Sequence, residues 1–481
     1  MKITIGTTYD AQMILVTEGQ KINSVDSILS SLKTKELFSG KENEIFEVPS
    51  VTDEKTYVFI GMGKEEKVNE ESLRLSAFKA AKALSRLKIK EASISLPKFP
   101  SMCYKASTKA FVEGLYHAEY GYDVYLSKKN TFSLEEVSLI LLEGKEHKIT
   151  PVIKEIDCVM NGVFLARDLI NEPSITMTAE KLADEAKKEL TSLQVEVQIL
   201  EKKDCEELGM QAFLAVNKGS TNKPQGIIMR YGGGGDEAPI GLVGKGVTFD
   251  TGGYSIKPGP SMMTMHGDMG GAGAVIGAMK AIALNKLEKN VVAVILATDN
   301  VISGDAYVPG DIVGSMGGKS IEIHSTDAEG RLTLADAVYY AIKNEGVKEV
   351  VDVATLTGAC VVALAEFHTG AFTNDDELLA KVERASKEAG EPMWRLPLSK
   401  DHHDMIKGDR SDLKNTGGRW GGASTAAAFI ESFVGYTPWV HLDIAGTSDL
   451  EKARGYLPKG ATGAPVKTLY YYVKGEKKGK C

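Results

Sequence analysis

The stretch from Val243 to Pro258, VGKGVTFDTGGYSIKP, constrains this chain more than any other. The apolar run Ile240-Gly241-Leu242-Val243 leads into it and reads as a buried strand that breaks into glycine-rich backbone. That backbone carries Lys245, Asp250 and Lys257 with almost no bulky side chains between them. Its glycines allow a tight turn and the close approach of another group. Ionisable residues where a strand opens into a loop are what a site built on a rigid sheet requires. Taken alone, the stretch reads equally well as a glycine-rich turn with solvated lysines. Residues further along decide between the two.

A buried strand needs a sheet around it, and 481 residues are too many for one ordinary core. Two domains are therefore expected. Hydrophobic content of 43% and charged content of 25% are those of a soluble globular protein. A formal net charge of −8 argues against a sequence-independent grip on nucleic acid phosphates. The basic tail from Lys474 to Lys480 reads as solvated. Cys103, Cys158, Cys205, Cys360 and Cys481 are scattered, without a CxxC pair. They suggest reduced thiols in a cytoplasmic setting, not a disulfide frame or a thiolate zinc site. The opening MKITIGTTYD has no charged segment followed by an apolar one, so no signal peptide is expected. No run approaches the length of a membrane span.

Residues 1–150 alternate strand-like and helix-like segments. Tyr57 to Ile60, Ala92 to Leu96 and Val137 to Leu142 read as strands, Asn69 to Leu87 and Thr108 to His117 as helices. This rhythm predicts a small N-terminal α/β domain for packing or assembly, with no phosphate loop and no convergent ionisable set. Residues 151–172 form a predicted linking helix, ended by Asn171-Glu172-Pro173. Residues 173–481 form a larger C-terminal α/β domain with a mostly parallel central sheet flanked by helices. Within it Thr178 to Leu190 and Ala272 to Leu284 read as helices, and Val195 to Leu200, Gly226 to Tyr231 and Val291 to Ala297 as strands. The last is apolar throughout, as a strand covered on both faces should be.

Two further clusters join the opening stretch. Asp268 lies in His266-Gly267-Asp268-Met269-Gly270-Gly271, before a small-residue helix, where an N-cap is the simplest reading. Ser325-Thr326-Asp327-Ala328-Glu329-Gly330-Arg331 precedes a helical run, and Thr326 with Glu329 fits a capping box. A cap calls for neither the adjacent Asp nor Gly330-Arg331. Together the clusters bring carboxylates, lysines and an arginine beside glycine-rich turns. Hard oxygen donors suit Mg, Mn or Zn, and carboxylates that bridge two ions form the usual two-metal hydrolytic site. A lysine joins such a set only as the neutral amine, which a neighbouring dication makes possible.

Taken together, these residues resemble the M17 leucyl aminopeptidase family. The resemblance rests on VGKGVTFDTGGYSIKP, the Asp268 segment and TDAEGRL. It continues through Asp352 to Ala359, Trp394 to Leu398, Gly417 to Ala423 and His441 to Gly446, and covers about Asn161 to Val473. It implies a metal-dependent exopeptidase that removes N-terminal residues, leucine and other apolar ones preferred, from peptides with a free N-terminus. Two divalent metal ions are implied, Mn or Zn first, Co or Mg as alternatives. Asp250 and Glu329 would bridge them, Lys245 and Asp268 would complete the tighter site, and Asp327 the more exchangeable one. Lys257 would polarise the scissile carbonyl, and Arg331 would hold a bicarbonate acting as general base. Met265, Thr355, Leu356, Gly358 and Ala445 would line the pocket for the first side chain. A cytoplasmic homohexamer is also implied.

The chain departs from the family's common pattern at Ser325, where Asn is usual, and at Ala365-Glu366-Phe367-His368, where glycine is frequent. Neither departure removes a ligand, so activity is expected and pocket shape is open. His402-His403, flanked by Asp, read as surface residues. A dipeptidase, such as a Cys-Gly hydrolase, and a DNA-binding or regulatory protein on the same fold are the alternatives. A nucleotide enzyme is excluded: Pro239 stands at the first glycine position of the phosphate-loop pattern and Gly246 follows its lysine.

Overall fold

The computed structural model describes residues 1–50 and 55–475. The chain divides into two compact units, Met1–Met160 with Ala453–Pro458, and Asn161–Lys452 continuing from Lys459. The boundary between Met160 and Asn161 falls inside one long helix, Glu146–Asn171. No helix among the described residues is long and apolar enough to cross a membrane. The basic tail lies outside the described residues from Glu476 onward, as does Cys481.

The first unit is a six-stranded sheet of β1 (Lys2–Ile5), β2 (Ala11–Thr17), β3 (Ile45–Val48), β4 (Thr56–Gly63), β5 (Glu91–Ser95) and β6 (Glu136–Ile140). Their order is β1-β6-β5-β2-β4-β3, and only β3 runs antiparallel to its neighbour. Helices α1 (Glu70–Arg86) and α2 (Tyr104–Glu119) pack closely: a Cβ at Gly114 would stand 2.2 Å from the Arg74 carbonyl oxygen. The buried Arg74 guanidinium is held by Glu113 at 2.5 Å and Glu71 at 2.9 Å. Tyr456, from the segment that joins this unit late in the chain, donates to Glu71 at 3.0 Å. Cys158, Cys205 and Cys360 carry free thiols, whereas Cys103 is disulfide-bonded. This corrects the all-reduced expectation, since pairing follows proximity in space and sequence spacing does not report it.

The second unit is built on an eight-stranded sheet of β7 (Val195–Leu200), β8 (Gln225–Gly232), β9 (Ile240–Asp250), β10 (Asn290–Asn300), β11 (Glu349–Ala354), β12 (Thr369–Thr373), β13 (Met393–Arg395) and β14 (Trp439–Asp443). The order is β13-β12-β14-β11-β9-β10-β8-β7. Pairs β9–β10, β9–β11, β11–β14 and β12–β13 are parallel; β8–β10, β7–β8 and β12–β14 are antiparallel. The mostly parallel centre matches the expected fold class. Strand β9 does not break at Gly244. It runs on to Asp250, so Lys245 and Asp250 are strand residues, opposite Leu296 and Asn300 of β10. The glycines serve packing here: a Cβ at Gly244 would meet Gly271 and Ala272 at 2.8 and 2.9 Å.

Those two residues open the small-residue helix α3 (Gly270–Leu284), which lies against β9 and β11. A Cβ on Gly271 would stand 2.0 Å from the Val353 carbonyl oxygen and 2.8 Å from the Lys245 nitrogen, both backbone atoms that cannot rotate away. Gly271→Ala is therefore expected to destabilise the protein by at least the ~1–3 kcal/mol of an overpacked core. Urea denaturation measures it, and an unchanged midpoint would refute the close approach.

The segments 352–359 and 441–446 supply a buried polar knot between β11 and β14. Asp352 accepts from the Trp439 indole at 2.6 Å and lies 2.6 Å from His441 Nδ1, all three fully buried. Two residues after His441, at the end of the same strand, Asp443 accepts from the backbone N–H of Leu356 (3.2 Å) and Ala445 (3.1 Å) and from the Thr357 hydroxyl (2.7 Å). The loops leaving β11 and β14 are thus tied to one carboxylate.

Candidate metal centre and active site

The carboxyl ends of β9 and β10 face the turn Met265–Met269 and the loop that leads into α4 (Gly330–Lys343). Here the fold assembles all five predicted ligands. Lys245 Nζ lies 2.7 Å from Asp268 and 2.9 Å from Glu329, and donates to the Thr355 carbonyl at 3.1 Å. Lys257 Nζ lies 2.9 Å from Asp250 and 2.6 Å from Asp327. One oxygen each from Asp250, Asp327 and Glu329 falls within 4.8 Å of the others, the geometry of a cation site.

The local sequence explains each position. Asp250 is the last residue of β9, and Gly252 at φ +83 turns the chain so that its N–H returns to Asp250 Oδ1 at 2.8 Å. Asp268 does not cap α3: the cap position is Met269, and no side chain bonds there. Its carboxylate is spent on Lys245 and on the Thr355 hydroxyl at 2.7 Å. The capping box at Thr326 and Glu329 does not form either. Glu329 occupies the cap position of α4 without a side-chain bond, while Thr326 donates to the Gly252 carbonyl at 2.6 Å and accepts from Ser255 N–H at 2.7 Å.

Electrostatics separate the groups. Burial raises the Asp250 pKa to about 6, with the Glu329 charge adding and Lys257 opposing. Burial also raises Asp268 well above the usual carboxylate range, against the pull of Lys245. Glu329 is equally buried, but Lys245 and Lys257 overcome that burial and hold it ionised. Burial would lower both lysines, yet the carboxylates around them outweigh it and raise both. Arg331, in the first turn of α4, is lowered to about 10 by burial.

Several buried polar atoms here lack a hydrogen-bond partner, Glu329 Oε2 and Arg331 Nε among them. Glu329 Oε2 is buried without a hydrogen-bond partner, while its Oε1 lies 2.9 Å from Lys245 Nζ. Oxygen donors with a lysine amine fit a pair of divalent cations. Arg331 gives one N–H to the Asn415 carbonyl at 2.8 Å, while its Nε is buried and unpartnered, a donor that fits a small anion such as bicarbonate.

The predicted pocket residues are only partly together. Thr355 donates its hydroxyl to Asp268 at 2.7 Å. Leu356 and Ala445 are drawn together by Asp443, and Gly358 starts the short helix α5 (Gly358–Leu364). Met265 is half-buried in the turn that carries Asp268. His402 closes a capping box with Ser399, and His403 Nε2 lies 2.8 Å from Glu431. Neither belongs to the cation cluster found among the described residues.

Three residues that hold the site had not been read from the sequence. Asn300 ties Asp250 to the Thr326 carbonyl. Asn415 accepts from Arg331 through its carbonyl and braces Ser325 by side-chain bonds of 3.2 and 2.6 Å. Tyr307 donates to the Thr326 carbonyl at 2.9 Å. For Asn300 a signal existed: a polar residue closing an apolar buried strand, at the edge where parallel sheets place their sites.

Known proteins share this arrangement. Residues 164–470 match the catalytic domain of the cytosol aminopeptidase family and residues 9–129 its N-terminal domain. The chain is 49% identical over 480 residues to a probable cytosol aminopeptidase of Clostridium tetani, covering 99% of this chain and 100% of that one. It is 46% identical over 451 residues to the probable cytosol aminopeptidase of Treponema denticola, covering 93% and 94%. A mutant of tomato leucine aminopeptidase superposes with a TM-score of 0.89 at 32% identity, covering 98% and 96%. The bottromycin maturation enzyme BotP in complex with Mn superposes with a TM-score of 0.87 at 29% identity, covering 97% and 99%.

Fold, carboxylate–lysine cluster and relatives together define the class: metal-dependent aminopeptidases. Within that class, the chain belongs to the cytosol aminopeptidase family, M17.

Proposed function

We propose that this protein releases N-terminal amino acids, leucine and other apolar residues first, from peptides with a free N-terminus. The observation that carries the reading is the cluster of Asp250, Asp327 and Glu329 with Lys257 at its open side. In this reading Lys245, Asp250, Asp268, Asp327 and Glu329 hold two divalent cations, Mn or Zn ahead of Co or Mg. Bound there, the cations supply an activated water and polarise the scissile carbonyl.

The chain's own residues do the rest. Lys257, whose side chain is 17% exposed, places its ammonium where the carbonyl oxygen gains negative charge and donates a hydrogen bond to it. Arg331, whose Nε is buried and unpartnered, would hold a bicarbonate, which would supply a general base. Asp443 keeps Leu356 and Ala445 together on one side of the first side chain, with Met265 adapting to its shape. A homohexamer in the cytoplasm belongs to the same proposal.

Hydrolysis of leucyl-p-nitroanilide by chelator-stripped protein, before and after Mn or Zn is added back, tests it. Activity is expected only with metal, and leucine is expected to exceed alanine and glycine at the first position. Inactivity with every metal across a panel of first residues would overturn the reading.

A further inference from the structure

Asn300 closes β10 and is fully buried between the two segments that carry the site's carboxylates. Its Nδ2 donates to Asp250 Oδ1 at 2.7 Å and to the Thr326 carbonyl at 2.9 Å. Its Oδ1 is buried without a hydrogen-bond partner. One amide therefore touches both the segment of Asp250 and Lys257 and the segment of Asp327 and Glu329. We propose that Asn300 is the positioning residue that sets Asp250 against Asp327 and Glu329, and so decides how tightly that three-carboxylate subsite takes a divalent cation. The inference rests on the reading that the cluster binds metal.

The bonds around Asp250 support this. Its Oδ1 is occupied twice, by Gly252 N–H and by Asn300, which leaves Oδ2 as the oxygen turned to the cluster. An amide does not titrate, so this aim holds at every pH at which the protein folds. Without Asn300 the two segments stay joined. Thr326 still donates to Gly252 and accepts from Ser255 N–H, Ser255 Oγ still accepts from Thr326 N–H at 3.1 Å, and Tyr307 still holds the Thr326 carbonyl. What is lost is the register of one carboxylate against the other two. Residues that orient metal ligands in this way typically change metal affinity about 10–100-fold.

The experiment is a calorimetric titration of MnCl2 into the chelator-stripped, full-length protein, comparing wild type, Asn300→Ala and Asn300→Asp. Asn217→Ala is the control, a buried asparagine bonded to Thr298 and the Asn222 carbonyl, neither of them a residue of the cluster. Wild type is expected to take two Mn per chain. Asn300→Ala is expected to weaken one of the two sites by about tenfold or more and leave the other nearly unchanged. At saturating Mn its KM for leucyl-p-nitroanilide should equal that of wild type. Asn300→Asp should weaken the same site further, because it turns an acceptor toward Asp250 Oδ1 and the Thr326 carbonyl. Asn217→Ala should lower the melting temperature without changing either affinity.

If Asn300→Ala binds both ions as wild type does, the inference is overturned. The same holds if both sites weaken together and Asn217→Ala does likewise, since that would mark general loosening. If Asn300→Ala fails to fold, Asn300→Ser, which keeps one short donor, must show the one-site weakening, and unchanged binding there overturns the proposal. A wild type that takes no Mn overturns the metal reading and this inference with it. Two bound Mn in a wild type that Asn300→Ala matches overturns this inference alone.

Discussion

Lys257→Ala is expected to lower kcat on leucyl-p-nitroanilide by about 10²–10³-fold at saturating metal, the usual cost of removing one oxyanion donor. The metal content should stay near that of wild type. Lys257 reaches Asp250 and Asp327 from the open side of the cluster, and neither depends on it for orientation. Asp250 keeps Gly252 N–H and Asn300, and Asp327 keeps its place through the neighbouring Thr326. Removing the ammonium even relieves the competition between it and a cation for those two carboxylates. The loss should therefore fall on kcat, with KM changed little, because the donor acts where negative charge develops and not on the ground-state peptide. Metal analysis beside steady-state kinetics checks it. A drop below about tenfold in kcat would remove Lys257 from the chemistry.

The parts of this site that were legible in the sequence are those whose chemistry violates a cheaper local reading. A glycine and an arginine after Glu329 are surplus to any helix cap, and the structure spends Thr326 and Glu329 elsewhere. Asp268 was less legible, because an aspartate before a helix is ordinarily a cap; only the placement of Lys245 beneath it gives it another use. Asn300 shows only as a polar residue closing an apolar strand, and Asn415 and Tyr307 not at all, for a different reason. They donate to backbone carbonyls 19 to 90 residues away, and such pairings have no period or spacing in the sequence.

The same logic governs the fold. Helices at Glu70–Arg86 and Gly270–Leu284 and the strand Asn290–Asn300 announce themselves by period or by unbroken apolar content. Strand β9 was cut short because glycine counts against a strand when packing is unknown. Its glycines are there because α3 passes within contact of the backbone. Strands β1 and β3 have four residues each and expose part of every side chain, so neither period nor hydrophobicity marks them; β2 is apolar and mostly buried, and its absence from the sequence reading has no such reason.

The largest effect on stability is expected at Lys245. Its side chain is 3% exposed and sits between Asp268 and Glu329, whose side chains are 6% and 2% exposed. Lys245→Met keeps the length of the side chain and removes the charge and all three donors. Two buried carboxylates then face each other without a cation, and the Thr355 carbonyl loses its donor. Removing one partner of a buried ion pair costs about 3–5 kcal/mol. In chelator, the variant should unfold at a clearly lower urea concentration than wild type, and it should bind Mn more weakly because an amine donor has gone. Lys245→Arg separates charge from shape. A Cβ on Gly330 would already stand 2.5 Å from Lys245 Cε, so there is no room for a guanidinium, and the variant should be destabilised although its charge is kept. If Lys245→Arg matched wild type while Lys245→Met did not, only the positive charge would matter at this position. The amine would then lose its place among the metal ligands, and Asp268 and Glu329 would have to hold the cation without it.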